Sequence, residues 1–256
     1  MAFEDHFSGH AADYARNRPS YPADLFAYLA GIAPTRGRVW DCATGSGQAG
    51  RALAEHFDEV IATDASAEQI ANARAAPRVS YRVAPAEQSE IGAGSVDLVT
   101  VAQALHWFDL KAFYEEVRRV VRPSGVLAVW CYELAQVSDE VDAIIGEFYK
   151  GEIGEFWPAG RRHIETAYRE LSFPFESVVA PPFEMALEWS SAEMLAYVRT
   201  WSAVQRYAAE REHDPVDNIV GSLARAWGQG PRRVRWPLTV LVGIADRPAS
   251  DGATSQ

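Results

Sequence analysis

The chain has 256 residues, of which 48% are hydrophobic and 23% are charged, so it can bury a sizeable core and bulk disorder is not expected. Its formal net charge of -11 argues against a phosphate-rich partner, so no nucleic-acid partner is expected. It contains only two cysteines and no run of about 18 apolar residues, which indicates a reduced, cytoplasmic compartment and no membrane partner.

The N-terminal segment, residues 1–35, is expected to form a helical cover. In YPADLFAYLAGIA the side chains of Leu25, Phe26, Leu29 and Ile32 recur at the spacing of one helix face. Beyond this segment the pattern changes to short apolar runs that alternate with helical stretches.

This alternation extends over residues 36–130. Capping signals support the helices, because Ser66 stands three residues before Gln69 and Asp109 precedes a stretch with one apolar face. Strand and helix alternating five times predict a parallel, doubly wound sheet with helices on both faces. The five strands are expected at RVWD (38–41), VIATD (60–64) and VSYRV (79–83), within SVDLVTVAQAL (95–105), and at VLAVW (126–130).

After Trp130 the alternation stops. Two helices are expected within 138–170, and Ser190 with Glu193 has the spacing of a capping box before a helix that runs through Trp201. Two further strands bring the predicted sheet to seven, FEMALEW (183–189) and VRWPLTVLVGI (234–244). The sheet is therefore predicted to be mostly parallel, with extra helices over its ligand edge.

No linker composition separates two domains. Residues 1–246 are therefore expected to form a single domain, in which 36–130 is the ligand-binding half. Residues 131–246 would supply the covering helices and the last strands, and 247–256 are expected to be a disordered tail.

The stretch WDCATGSGQAG contains a literal G-x-G-x-x-G in Gly45, Gly47 and Gly50, a spacing typical of dinucleotide sites. In such a site a pyrophosphate sits at a helix N-terminus, where a carboxylate would repel it. Here Asp41 ends the first strand four residues before Gly45. An acid at this point suits a cationic ligand such as S-adenosylmethionine, which carries sulfonium and ammonium groups and no phosphate. The glycine spacing alone leaves an NAD-dependent oxidoreductase as the alternative.

Asp64 ends the second strand, where carboxylates commonly accept hydrogen bonds from ribose hydroxyls. Both candidate ligands contain that ribose, so Asp64 predicts an adenosine ligand without separating the two. A turn or cap before Ser66 is the competing interpretation.

Several ordered segments carry a family resemblance. DCATGSGQA, ATDAS, PAEQS, DLVTVAQALHWFD and FYEEVRRVVRPSGVLAVW together resemble a class I S-adenosylmethionine-dependent methyltransferase of the type 11 group. More narrowly, FSGHAADYARNRPSYP and AQALHWFD are similar to small-molecule methyltransferases that include the trans-aconitate methyltransferases. The resemblance implies a Rossmann-like fold and S-adenosylmethionine as the methyl donor.

One departure from the family pattern D-x-G-x-G-x-G is Ala43, which stands where the first glycine is usual. Alanine is tolerable there if φ is negative. A positive φ would cost cofactor affinity about 1 kcal/mol.

The resemblance also implies the cofactor-binding residues. The methionine part would be surrounded by Asp41, Thr44, Gly45 and Gly47 and bordered by Gln103. Asp64 would hold the ribose, Ala86 and Glu87 would lie along the adenine edge, and Tyr14 and Arg18 would close over the cofactor carboxylate. For the last pair, a core tyrosine and a surface ion pair are equally open interpretations.

The methyl acceptor is expected to be a small organic molecule, with a carboxylic acid as the suggested class and O-methylation as the reaction. His106 follows the fourth strand and is the candidate catalytic base, or else a structural histidine packed beside Trp107. The candidate substrate contacts are Tyr132, Arg199 and Trp201.

Other arginines and histidines receive no such role in this interpretation. Arg161 and Arg162 are expected to be solvated, although their segment covers the pocket, and the histidine spacing suggests no metal site. A non-catalytic S-adenosylmethionine-binding protein remains a further alternative.

Overall fold

The computed structural model describes residues 19–158 and 160–245, and its organising element is one mixed sheet of eight strands. The strands are β1 (Arg38–Cys42), β2 (Glu59–Asp64), β3 (Val79–Val83), β4 (Val96–Ala102), β5 (Val121–Tyr132), β6 (Glu176–Val178), β7 (Phe183–Trp189) and β8 (Arg232–Ala245). The α-helices are α1 (Ala23–Ile32), α2 (Gln48–Leu53), α3 (Ala67–Asn72), α4 (Leu110–Val120), α5 (Asp139–Glu147), α6 (Arg161–Glu165), α7 (Ser191–Arg199), α8 (Ser202–Arg211) and α9 (Val220–Trp227). Short 3-10 helices occur at Leu105–Trp107, Gly154–Phe156 and Pro215–Asn218, and a π-helical turn occurs at Phe148–Glu152.

The strand order confirms the predicted fold class. Seven strands follow the order β3-β2-β1-β4-β5-β8-β6, and β7 pairs separately with β8. Strands β1 to β5 are parallel, whereas β8 is antiparallel to β5, β6 and β7. The order reverses between β1 and β4, and open α/β sheets bind ligands at such a switch point, beyond the carboxyl ends of the strands.

Both faces of the central strands are buried, because their apolar side chains alternate between two cores. Leu98 of β4 packs in the cluster that contains Leu25 and Leu29 of α1. Its neighbour Val99 faces the opposite cluster, which contains Phe113 of α4. A third core lies under the covering helices and is rich in tryptophan.

Two strands differ from the prediction. β5 begins at Val121, and its pairing with β4 jumps from Val96–Val121 to Leu98–Val126, which leaves the RPSG segment as an irregularity within the strand. β6 is missing from the prediction because its sequence ESV is short, mostly exposed and without an apolar pattern. It forms because β8 offers it backbone partners.

The covering helices begin with a predicted signal but end earlier than expected. The Ser190 backbone N–H donates to Glu193 Oε2 at 2.7 Å, and the Glu193 N–H donates to Ser190 Oγ at 3.3 Å, so the capping box is confirmed. The helix ends at Arg199 rather than continuing through Trp201, which instead precedes the separate helix α8.

Some predictions fall outside the described residues. These are the roles of Tyr14 and Arg18, most of the helical cover predicted for 1–35, and the tail predicted for 247–256. Within the described part of the first segment, α1 runs from Ala23 to Ile32 as the apolar spacing predicts.

The loop between β1 and α2 contains three residues with a left-handed backbone. The φ angles of Ala43, Gly45 and Gly47 are 54°, 55° and 79°. Glycine adopts such angles freely, whereas a residue with a Cβ pays roughly 1–2 kcal/mol. The structure therefore gives Ala43 the positive φ that makes the missing glycine a strained position.

Replacing this alanine with glycine should relieve the strain. We expect Ala43→Gly to raise the free energy of unfolding by about 0.5–1 kcal/mol, because the relief exceeds the extra entropy of an unfolded glycine. Ala73→Gly is the matched control. Ala73 has a φ of -67°, so glycine relieves no strain there and should lower the free energy of unfolding. Chemical denaturation measures both; a loss of stability in Ala43→Gly equal to that in the control would contradict the interpretation.

Candidate active site

The carboxyl ends of β1, β2 and β4 bring Asp41, Asp64 and Gln103 to the switch point of the sheet. Asp41 pairs in register with Ala62 of β2 and with Thr100 of β4. Asp64 is the last residue of β2, and Gln103 directly follows β4. Three polar side chains predicted from separate strand ends therefore meet at one edge, as parallel strands require.

Asp41 is a buried carboxylate with a full set of donors. It is 1% exposed, its Oδ2 accepts from the Thr44 hydroxyl at 2.5 Å, and its Oδ1 accepts from the Thr100 hydroxyl at 2.8 Å. Burial raises the pKa of Asp41 to about 6, although Thr44, Thr100 and the Gly50 N–H lower it by donating hydrogen bonds. Both carboxylate oxygens already accept hydrogen bonds. This arrangement favours an effect of Asp41 on a ligand through its charge and through the position of the loop that contains Thr44, rather than through a direct hydrogen bond.

Two glycines of the G-x-G-x-x-G stretch contact the carboxylates of Asp41 and Asp64. The Gly45 N–H donates to Asp64 Oδ2 at 2.9 Å, and the Ser66 N–H donates to Asp64 Oδ1 at 2.9 Å. A Cβ at Gly50 would lie 3.1 Å from Asp41 Oδ2, so this glycine permits close packing of α2 on β1. The Gly45 N–H that a pyrophosphate would need is thus already bound by a carboxylate.

The loop after β3 and a tyrosine on β3 complete this edge. A Cβ at Gly47 would overlap the hydroxyl oxygen of Tyr81, so any other residue would displace this ring. Sequence reasoning missed Tyr81, because nothing in VSYRV marks it. Ala86 is buried, and Glu87 accepts from the Asp109 N–H at 3.0 Å. Glu87 therefore links the loop after β3 to the start of α4.

Gln103 has one buried atom without a partner. Its N–H donates to the Trp130 carbonyl at 2.9 Å, and its Nε2 donates to the Tyr132 carbonyl at 3.1 Å. Its Oε1 is buried and has no hydrogen-bond partner among the described residues. A buried unpaired acceptor costs about 1–3 kcal/mol, so a ligand that donates a hydrogen bond here would be stabilised.

A cavity of about 70 Å³ opens beside Gln103. His106, Tyr132 and Trp201, which the sequence predicts at the site, line it, and Arg161 is the cationic side chain in the lining. The rest of the wall, within 19–158 and 160–245, consists of Trp107, Trp157, Pro158, Ile164, Tyr197 and Ser202. No Asp, Glu or Lys of these described ranges lines the cavity.

Arg161 is held in place by two aromatic rings and one hydrogen bond. Its guanidinium carbon lies 4.8 Å from the ring centre of Trp157 and 5.5 Å from that of Tyr149. Its Nε donates to the Tyr149 hydroxyl at 2.8 Å, and that hydroxyl donates to Glu165 at 2.6 Å. No acidic side chain in the described part of the chain pairs with Arg161, so its terminal nitrogens are available to an anion.

The arginine that the sequence predicts as a substrate contact, Arg199, lies elsewhere. Arg199 does not line the cavity; its Nε is 2.5 Å from Asp214 and its second terminal nitrogen is 2.9 Å from Asp217. Two acids thus already occupy the guanidinium that was predicted to bind substrate. Arg162 pairs with Glu170 at the surface, as expected, whereas Arg161 is wrongly predicted to be solvated.

His106 is neutral in this environment. Burial, followed by the nearby positive charge of Arg161, lowers the pKa of His106 to about 3. Its Nδ1 lies 3.1 Å from the Tyr168 hydroxyl, and its ring lies 4.5 Å from the Trp107 ring. A histidine with so low a pKa accepts a proton poorly near neutral pH, so the geometry fits an orienting or packing role better than a base.

Proteins of similar sequence and structure include methyltransferases from several organisms. A methyltransferase domain family matches residues 40–129. A protein of Dictyostelium discoideum named as a methyltransferase is 33% identical over 229 residues, covering 88% of this chain and 87% of that protein. A solved structure from Anaeromyxobacter dehalogenans, described as a type II methyltransferase, is 44% identical with a TM-score of 0.84, covering 90% of this chain and 98% of the other. The chain belongs to the class I S-adenosylmethionine-dependent methyltransferases.

Membership of this family decides between the two interpretations of the glycine spacing. The donor of a methyltransferase is S-adenosylmethionine, and a Saccharomyces cerevisiae relative named as dependent on it is 31% identical over 149 residues, which cover 55% of this chain and 51% of that protein. The G-x-G-x-x-G match is therefore no sign of an NAD-dependent oxidoreductase.

The residues at the switch point of the methyltransferase fit this donor. Asp41 would provide negative charge near the cationic end of the donor, Asp64 would offer acceptor oxygens to its ribose, and the unpaired Oε1 of Gln103 would accept from a donor group. In the described ranges, no helix is both long and apolar enough to cross a membrane.

The pKa of Asp41 gives the methyltransferase a testable pH dependence. Because the folded pKa of about 6 exceeds the ordinary value of 3.8, the bound proton stabilises the fold at pH below the ordinary value, and this contribution is lost as pH rises through about 6. Only the ionised form of Asp41 attracts the ammonium group of S-adenosylhomocysteine, so affinity for this ligand should fall up to roughly tenfold from about pH 7 to about pH 5. Titration calorimetry at several pH values measures this affinity. The Asp41→Asn variant should bind S-adenosylhomocysteine weakly and with no such pH dependence. An equal pH dependence in the variant would refute the assignment to Asp41.

Proposed function

We propose that this methyltransferase transfers the methyl group to a carboxylate oxygen of a small organic acid. The observation that carries the proposal is Arg161, an arginine with available terminal nitrogens in the wall of an aromatic cavity beside Gln103. A guanidinium grips a carboxylate with two parallel hydrogen bonds, and few other small-molecule groups match its geometry as well.

The donor-binding residues of the proposal keep the sequence assignments. Asp64 would accept from the ribose, Ala86 and Glu87 would flank the adenine, and Asp41 with the Thr44 loop would favour the cationic end. Gln103 borders both this region and the acceptor cavity, so its unpaired Oε1 would accept from the donor's ammonium group. Tyr14 and Arg18 remain proposed closing residues.

The proposed acceptor requires no proton transfer. When bound, S-adenosylmethionine would supply an electrophilic methyl carbon: an oxygen of the acceptor carboxylate would form the new O–C bond, the S–C bond would break, and the electron pair of the S–C bond would stay on sulfur. A carboxylate is already ionised at neutral pH, which agrees with a neutral His106 whose pKa is about 3. The chain's own contribution is to hold the acid beside Gln103 and to exclude water with aromatic side chains.

An acceptor panel tests the reaction. Labelled methyl groups should pass to small carboxylic acids rather than to phenols or amines, and mild alkali should release the label as methanol, which is characteristic of a methyl ester. We expect Arg161→Gln to raise the acceptor KM by roughly 10- to 100-fold, the value of charged hydrogen bonds, with unchanged affinity for S-adenosylhomocysteine.

The neighbouring Arg162→Gln is the matched control, because Arg162 pairs with Glu170 at the surface and should change the KM less than about twofold. Transfer of label to an alkali-stable product, or equal effects of the two variants, would refute the carboxylate assignment.

The neutral state of His106 gives a second test. His106→Gln keeps a group that can contact the Tyr168 hydroxyl, and we expect it to keep kcat within about tenfold, because no base is needed. Removing a general base typically costs about 100-fold or more. A loss of that size at unchanged melting temperature would restore the base role and would favour a hydroxyl or phenol acceptor.

A further inference from the structure

The charges around the acceptor cavity limit how many charges its ligand can carry. Among the described residues that line it, Arg161 is cationic and none is acidic, and burial with Arg161 nearby keeps His106 neutral. The other polar side chains of the described lining, among them Gln103, Ser202 and Tyr197, carry no cationic group. The described lining of the cavity therefore offers one positive charge to an acceptor.

The contacts of Arg161 fix this positive charge at one place in the cavity wall. Its Nε donates a hydrogen bond to the Tyr149 hydroxyl, and the ring of Trp157 covers one side of the guanidinium. These contacts hold the two terminal nitrogens in one position. Tyr149 is itself 4% exposed and donates to Glu165. The arginine thus cannot swing to follow a second anionic group without breaking these contacts.

The remaining surface is apolar and aromatic. The ring centres of Trp157 and Trp201 lie 5.8 Å apart, and the ring centre of Tyr197 lies 5.9 Å from that of Trp201. A second carboxylate that met these rings would lose its water without gaining a cationic partner, which is strongly unfavourable. An ammonium group would meet the like charge of Arg161.

We infer that the acceptor is a monocarboxylic acid with an apolar body, and that polycarboxylates and amino acids are excluded. This inference rests on the proposed function and narrows it. It differs from the expectation raised by the sequence resemblance to trans-aconitate methyltransferases, because trans-aconitate carries three carboxyl groups and the described lining offers them one arginine.

A matched series of ligands tests the number of charges. Titration calorimetry with the full chain saturated with S-adenosylhomocysteine would compare phenylacetate with phenylsuccinate, which adds one carboxyl arm, and with phenylglycine, which adds one ammonium group. We expect phenylacetate to bind at least roughly 30-fold more tightly than either, and trans-aconitate to bind no better than phenylsuccinate. Arg161→Gln should abolish the preference, and Arg162→Gln should keep it.

A gain-of-function variant makes the test independent of loss of folding. Ser202 lines the cavity at the start of α8, and Ser202→Lys adds a second positive charge there. It should reduce the gap between phenylacetate and phenylsuccinate by roughly tenfold, while Ser202→Gln, which adds similar bulk without charge, should leave the gap unchanged.

The outcomes separate this inference from the proposed function. If phenylsuccinate or trans-aconitate binds as tightly as phenylacetate, or if none of the acids binds, the monocarboxylate inference is wrong. If acids are methylated but the number of carboxyl groups does not matter, the inference fails and the proposed reaction stands. If phenylacetate binds selectively but no acid of this kind is ever methylated, the reaction fails and the monocarboxylate site stands.

Discussion

The buried carboxylate of Asp41 is the constraint around which the ligand edge of this protein is arranged. It joins β1 to β4 through the Thr100 hydroxyl, fixes the loop after β1 through Thr44, and receives the Gly50 N–H from α2. A single charge thus ties two strands, a loop and a helix together in a place where water cannot solvate it. Because an unpartnered buried charge is very unfavourable, each of these elements is held where the carboxylate needs it.

This arrangement also explains how a misleading sequence pattern arises. A side chain at position 50 would crowd Asp41, and one at position 47 would clash with Tyr81, so both positions require glycine. Gly45 has a left-handed backbone, and its N–H donates to Asp64. Each glycine has a local reason, and together they reproduce a spacing that other proteins use for a pyrophosphate. The acid upstream of the glycines, rather than the glycines, distinguishes the two uses.

The sequence predicts elements whose signals are local and fails where tertiary contacts decide. The alternation of strands and helices, β7 and the capping box of Ser190 with Glu193 are visible because a few adjacent residues specify them. The three-residue strand β6 is not, because only its pairing with β8 creates it.

The site residues divide in the same way. The strand-end positions of Asp41 and Asp64 follow from the pattern, but the choice between Arg161 and Arg199 does not, since both are arginines on helices in aromatic segments. Asp214 and Asp217 neutralise Arg199 from 15 and 18 residues away, which only the folded chain reveals.

Arg161, the cation in the described lining of the cavity, has a consequence for turnover. On the proposed chemistry an anion and a sulfonium enter, and two neutral molecules result. The guanidinium of Arg161 then faces an ester that no longer carries a charge, while its own contacts with Tyr149 and Trp157 are intact. Departure of the ester would therefore break no ion pair, and fresh acid would displace it readily, so accumulated ester should inhibit the enzyme only weakly.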